Sequence, residues 1–205
     1  MWGWCVQPHI RRNIMSEQSV ILFLGASVTS GFGLSKQDAY PAIIQSFVSE
    51  AGMNYHIANA GWAGAATKDG IAQLQPFLSK PGLEHLVIAL GLADAVYHIS
   101  PVQIKDNIRD LVHLAREHHP DVKIYLLQSK VFQPFVLQRI DGDYVQNFEQ
   151  TFVDVANEWD LNLLPFMLEG IAGHYELNQP DGIHPNSIGM QRVAQNIWKH
   201  LRKHL

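Results

Sequence analysis

Short continuous apolar runs, separated by stretches of helical spacing, are what most narrow the folds open to this chain. The runs at 19–24 (SVILFL), 55–60, 86–90 (LVIAL), 122–127 and 161–164 are strand candidates, and the first three lead into Gly25, Gly61 and Gly91. Unbroken apolar runs of this length suit strands buried on both faces of a parallel sheet. Between them the apolar residues recur at helical intervals over 40–51, 69–78, 102–119, 144–159 and 188–201. In the first of these, Ile43, Ile44, Phe47 and Val48 share one side and Gly52 marks the stop. Ser100-Pro101 supplies an N-cap followed by proline at the first helical position for the third. Strands alternating with helices imply an α/β fold, a three-layer α/β/α sandwich around a central, mostly parallel sheet of about five strands. No internal repeat, low-complexity tract or linker divides it, so residues 15–205 are expected to form a single domain.

Composition closes off several classes of function. A formal net charge of -4 argues against nucleic acid as a partner, because phosphate backbones demand concentrated Lys and Arg. The lone Cys5 excludes an internal disulfide and a cysteine-based zinc cage. No apolar run has the length of a membrane span, so no integral membrane segment is expected. Residues 1–14 carry Trp2, Trp4, Pro8 and Arg11-Arg12 without the apolar core of a signal peptide, and Met15 is a natural start for the first strand. They are expected to be an extension outside the fold, and the protein is expected to be cytoplasmic.

In open α/β sheets, ligands bind beyond the carboxyl ends of the strands. Ser27, Gly64 and Asp94 follow strands one, two and three, which puts them on one edge. A serine there becomes a nucleophile only if a base takes its proton. Near the other terminus, Asp181 and His184 are spaced three apart in a turn between Pro180 and Pro185, so the carboxylate can orient the imidazole. Each segment alone has a plainer reading: Ser27 capping a turn or helix, and Asp181 capping the helix that follows it. The Gly-x-Ser-x-Gly elbow is not met, since Thr29 stands where its second glycine belongs. Among the 11 His, none has metal-ligand spacing; His56 and His85 are expected just ahead of strands. Gly25, Gly31 and Gly33 do not make a dinucleotide-binding loop and no P-loop lysine is present, so neither metal nor cofactor is expected.

Taken together, four blocks resemble the SGNH/GDSL hydrolases: Leu24-Gly25-Ala26-Ser27, Asn59-Ala60-Gly61-Trp62-Ala63-Gly64, Gly91-Leu92-Ala93-Asp94 and Asp181-Gly182-Ile183-His184-Pro185-Asn186. With Leu163-Leu164-Pro165-Phe166-Met167-Leu168-Glu169, the chain is similar to the bacterial branch of multifunctional thioesterases, lysophospholipases and arylesterases, over roughly Val20 to Leu201. The resemblance implies a flavodoxin-like, SGNH-hydrolase-type sheet and a catalytic triad of Ser27, Asp181 and His184. It also implies an oxyanion hole from the Ser27 N–H, the Gly64 N–H and a side-chain amide at position 93. The expected substrate is a small-molecule acyl ester or thioester. Two signature positions depart, with Ala26 for the family's acid and Ala93 for its asparagine. Loss of one oxyanion donor costs about 2.7–4 kcal/mol, roughly 10²–10³ in rate. A weakened esterase is therefore the expectation, with a non-catalytic acyl- or ester-binding protein as the alternative. Leu92, Phe132, Phe135 and Met167, with Val96, Val136 and Ile171, are candidates for an acyl groove, and 132–135 for a lid over it.

Overall fold

A computed structural model describes residues 18–132 and 142–205; the expectations placed on residues 1–14, Phe135 and Val136 lie outside the described residues. The strands are β1 (Ser19–Gly25), β2 (Tyr55–Asn59), β3 (Leu83–Ala89), β4 (Lys123–Leu127) and β5 (Asn162–Leu164). They form one five-stranded sheet in the order β2-β1-β3-β4-β5, with every pair parallel. The chain steps from β1 outward to β2, then crosses back over β1 to β3 and continues in that direction. That reversal opens a crevice beyond the carboxyl ends of β1 and β3, where ligands bind in such sheets.

The period-two alternation of the strands sorts their side chains into two cores. Leu22, Leu24, Leu86, Ile88, Ile124 and Leu126 face one side, against α3 (Gly70–Leu74), α5 (Pro101–His118) and α6 (Gly142–Glu158). Ile21, Phe23, Val87, Ala89, Tyr125 and Leu127 face the other, against α2 (Tyr40–Glu50) and α7 (Ser187–Leu201). The stripe expected on α5 is the buried one: Ile104, Ile108, Leu111, Val112 and Ala115 point inward, and Ser100 Oγ accepts from Gln103 N at the helix start. Because both faces are covered, each interior strand residue contributes a full side chain of burial, roughly 1.5–3 kcal/mol for a Leu, Ile or Phe.

Three local expectations are corrected. The stretch 69–78 is not one helix but a 3-10 turn (Thr67–Asp69), α3 and a second 3-10 turn (Gln75–Phe77); Pro76, lacking an N–H, cannot continue α3. The loops after β1 and β3 each hold a short helix, α1 (Ser27–Ser30) and α4 (Leu92–Val96), too brief to show a period in sequence. Finally, β2 begins at Tyr55 and β3 at Leu83, so His56 and His85 lie inside strands rather than ahead of them, and His85 is 1% exposed. Its ring packs against Tyr55 and Tyr125, and its Nδ1 lies 3.0 Å from the Tyr125 hydroxyl.

Burial, reinforced by the nearby Lys123 charge, pushes the His85 imidazole down from its ordinary 6.5 to about 4. A folded-state value below the unfolded one means the unfolded chain takes up this proton first as pH falls. The stability that neutral His85 contributes is complete above about pH 6.5 and is lost as pH falls toward 4. Urea unfolding of the parent should weaken across that window, and His85→Gln, which has nothing to protonate, should show a shallower decline. Parallel pH profiles for the two proteins would refute this.

Candidate active site

At the end of β1 the chain must turn sharply, and a buried amide holds it there. The Gln73 carboxamide pairs with both backbone groups of Gly25, accepting from its N–H (3.1 Å) and donating to its carbonyl (2.7 Å). Helix α1 starts directly afterwards with Ala26 as its N-cap, and no side chain closes that cap. The capping role open to Ser27 is therefore not taken up, and its hydroxyl has no hydrogen-bond partner among the described residues. Thr29, fully buried, shares a 3.0 Å hydrogen bond with the Tyr40 hydroxyl and anchors α1 to α2.

The loop after β2 lies on this turn. Trp62 N donates to the Gly25 carbonyl (3.0 Å) and Asn59 Nδ2 to the Thr29 carbonyl (2.8 Å). The approach demands glycine at 61, where a Cβ would lie 2.6 Å from Ser30 N. This brings Gly64 toward Ser27. Neither the Ser27 nor the Gly64 N–H is donated to another described group, so both are available to a ligand.

After β3, Gly91 adopts φ 130°, open in practice to glycine alone, and a Cβ there would sit 2.4 Å from the Phe152 ring. The bend launches α4, which carries Leu92, Ala93 and Asp94. Asp94 is fully buried and accepts from Thr67 N (2.8 Å) and Thr67 Oγ1 (2.6 Å), while Asn107 Nδ2 donates to the same Thr67 oxygen. Burial raises the Asp94 carboxyl above its ordinary range, with the Thr67 hydrogen bonds opposing that shift. Asp94 thus ties the second loop to the third, a positioning task.

The fourth contribution comes from the hairpin-like turn before α7, closed by Gln179 N to the His184 carbonyl (2.7 Å) and Asn186 N to the Leu177 carbonyl (3.0 Å). Asn186, not Asp181, caps α7 by accepting from Gly189 N. Asp181, though exposed, turns back on its own loop: Oδ1 accepts from Ile183 N and His184 N, and Oδ2 lies 2.6 Å from His184 Nδ1. Burial pushes its carboxyl up, but the His184 ring and these two backbone N–H groups outweigh that and hold it below its ordinary value. An ionised carboxylate only accepts, so Nδ1 carries the proton and Nε2 is the imidazole's basic nitrogen. Gln179 Nε2 donates to the Phe32 carbonyl (2.8 Å), and the Phe32 ring lies 4.7 Å from the imidazole. Those two contacts fasten the loop after β1 to the turn before α7.

Together the loops enclose a cavity of about 250 Å³, walled by Ser27, Gly64, Ala93 and His184, with Leu92, Val96 and Met167 along its apolar side. Phe32, Ala63 and Tyr97 also line it and were not anticipated. Tyr97 was within reach of the sequence, since it follows Ala93 by four on one helical face. Phe132 is not part of this wall; it packs toward Phe166, ring centres 6.0 Å apart. Ile171 is wholly buried in the core rather than facing the cavity. Among the described residues no cluster of His, Cys, Asp and Glu is arranged to hold a metal ion, and no helix is long and apolar enough to cross a membrane.

Known proteins resemble the chain along most of its length. Residues 23–192 match the GDSL-like lipase/acylhydrolase family. Esterase TesA of Pseudomonas aeruginosa is 28% identical over 182 residues, covering 89% of this chain and 87% of that protein. A protein named thioesterase 1/protease 1/lysophospholipase L1 from Escherichia coli is 26% identical, covering 89% of this chain and 83% of its own length. A crystal structure of TesA superposes with a TM-score of 0.82 at 27% identity, over 91% of this chain and all of that one. That of AlinE4, an SGNH-hydrolase family esterase, gives 0.71 at 27% identity, over 93% and 98%.

The Asp94 tie should be costly to cut. Asp94→Ala leaves the buried Thr67 N–H without an acceptor, and a loss of about 1–3 kcal/mol is expected. Urea unfolding of parent and variant measures it; an unchanged midpoint would show that the two loops hold their places without this carboxylate.

Proposed function

The chain belongs to the GDSL-like lipase/acylhydrolase family and is an esterase-type hydrolase, and within that class we propose that Ser27 is its nucleophile, acylated by a carboxylic ester or thioester. His184 takes the Ser27 proton on Nε2 as Oγ bonds to the carbonyl carbon, and the carbonyl π pair moves onto oxygen. Asp181 holds the ring in the required tautomer and stabilises the imidazolium. On collapse the C=O bond reforms, the bond to the leaving oxygen or sulfur breaks, and His184 returns the proton to that atom. Water then repeats the sequence on the acyl-enzyme and frees the acid.

One observation carries the reading: Ser27 and His184 wall the same apolar cavity, and the imidazole is backed by Asp181 at 2.6 Å. The names of the relatives, esterase in one case and thioesterase and lysophospholipase in another, support oxygen and sulfur esters alike as substrates. Leu92, Val96 and Met167 offer an acyl chain an apolar wall. The oxyanion would be met by the Ser27 and Gly64 N–H groups, with no amide from Ala93.

That missing amide favours a second reading, an acyl-binding protein that no longer turns over. The two separate under one set of measurements. A fluorophosphonate probe should add covalently to Ser27 in the folded parent and not to Ser27→Ala. Hydrolysis of short p-nitrophenyl esters by the parent should be lost in Ser27→Ala. Silence of parent and variant alike, with Ser27 unlabelled, would overturn the hydrolase mechanism in favour of binding alone.

A further inference from the structure

Alanine at position 93 leaves the oxyanion region one donor short only if no other group reaches it. Tyr97 follows Ala93 by one helical turn, its N–H donating to the Ala93 carbonyl at 3.0 Å. Tyr97 caps the end of α4, and both it and Ala93 line the cavity. The phenol ends beside Gly64: a Cβ built on Gly64 would find the Tyr97 hydroxyl at 3.7 Å, and no other atom within 4 Å.

Two further facts bear on this hydroxyl. Tyr40 and Tyr144 spend theirs on protein partners, Thr29 Oγ1 and the Ile99 carbonyl. Tyr97, 57% exposed where it lines the cavity shared with Ser27, Gly64 and His184, has no such partner among the described residues and is left to donate to a ligand. Its hydroxyl and the Gly64 N–H, both unspent, border the space an acyl oxygen would enter on attack by Ser27.

We propose that the Tyr97 hydroxyl is the third oxyanion donor, standing in for the side-chain amide that Ala93 lacks. When Ser27 Oγ bonds to the carbonyl carbon, the electron pair displaced onto oxygen accepts hydrogen bonds from Ser27 N–H, Gly64 N–H and Tyr97 Oη–H. The Tyr97 proton stays on its oxygen throughout; the single proton in transit runs from Ser27 to His184 and on to the leaving group. The donor matters because a hydrogen bond aimed at the developing charge favours the transition state over the ground state. This assignment rests on the Ser27 acyl-enzyme.

The test is a double-mutant cycle on short p-nitrophenyl esters, using the parent, Tyr97→Phe, Ala93→Asn and the double variant, each checked for an unchanged melting profile. Tyr97→Phe keeps the ring and removes only the hydroxyl. In the parent background kcat should fall about ten- to hundredfold with KM nearly constant. In the Ala93→Asn background the same change should cost no more than about threefold, because the amide then supplies the donor. A Tyr97→Phe variant that matches the parent, that raises KM alone, or that loses equally in both backgrounds overturns the assignment while leaving Ser27 chemistry intact. A parent that shows neither Ser27-dependent hydrolysis nor a phosphonate adduct instead overturns the acyl-enzyme reading, and this one with it.

Discussion

Parallel pairing is the constraint on which the rest of the molecule depends. It sends every strand's carboxyl end to one edge, and the order β2-β1-β3-β4-β5 opens the crevice there between β1 and β3. The two halves of the core supply most of the stability, since each buried Leu, Ile or Phe is worth roughly 1.5–3 kcal/mol against about 1 kcal/mol net for a hydrogen bond. The polar contacts therefore do a different job. Gln73 on Gly25, Asn59 on Thr29 and Asp94 on Thr67 select one arrangement of loops that the sheet alone would leave open. All three pair a side chain with backbone, and for the buried Gln73 and Asp94 an unmade bond costs more than a made one contributes.

The second organising contact joins the two ends of the sequence. Residues near 30 and near 180 meet because β1 is interior to the sheet and α7 packs beside α2 on the same face. Gln179 then donates to the Phe32 carbonyl, and the Phe32 ring covers the imidazole. With that face shielded and Nδ1 committed to Asp181, His184 has little rotational freedom, which a positioned base requires.

Much of this was legible in the sequence, and the exceptions have physical causes. The strand and helix order could be read from periodicity because both sheet faces are buried, making each strand an unbroken apolar run. His85 was misplaced because a polar residue inside a strand breaks that run; the Tyr125 hydroxyl at its Nδ1 and its packing against the Tyr55 and Tyr125 rings make its burial tolerable. Short helices α1 and α4 left no trace, since four or five residues cannot display a 3.6-residue period. Among the candidate site residues, Ser27 and His184 were chosen by motif and both line the cavity, whereas Phe132 was chosen for its loop position and packs elsewhere. Loop membership says where a residue's backbone lies, not which side of the loop its ring takes.

The two alanines at signature positions differ in what they remove. At position 26 the family's acid is gone, yet the strand end it follows is gripped on both backbone groups by Gln73, and Ala26 itself packs half-buried against the core. Turn geometry at Ser27 thus has an independent support, and the local structure does not ask for a carboxylate there. In the proposed mechanism, position 93 is where a side-chain amide would meet the oxyanion, and packing cannot replace a donor. What can replace it is another polar group that reaches the same cavity. The first alanine is therefore a change the scaffold absorbs, while in the proposed mechanism the second shifts the electrostatic demand onto whichever hydroxyl or N–H borders the same space.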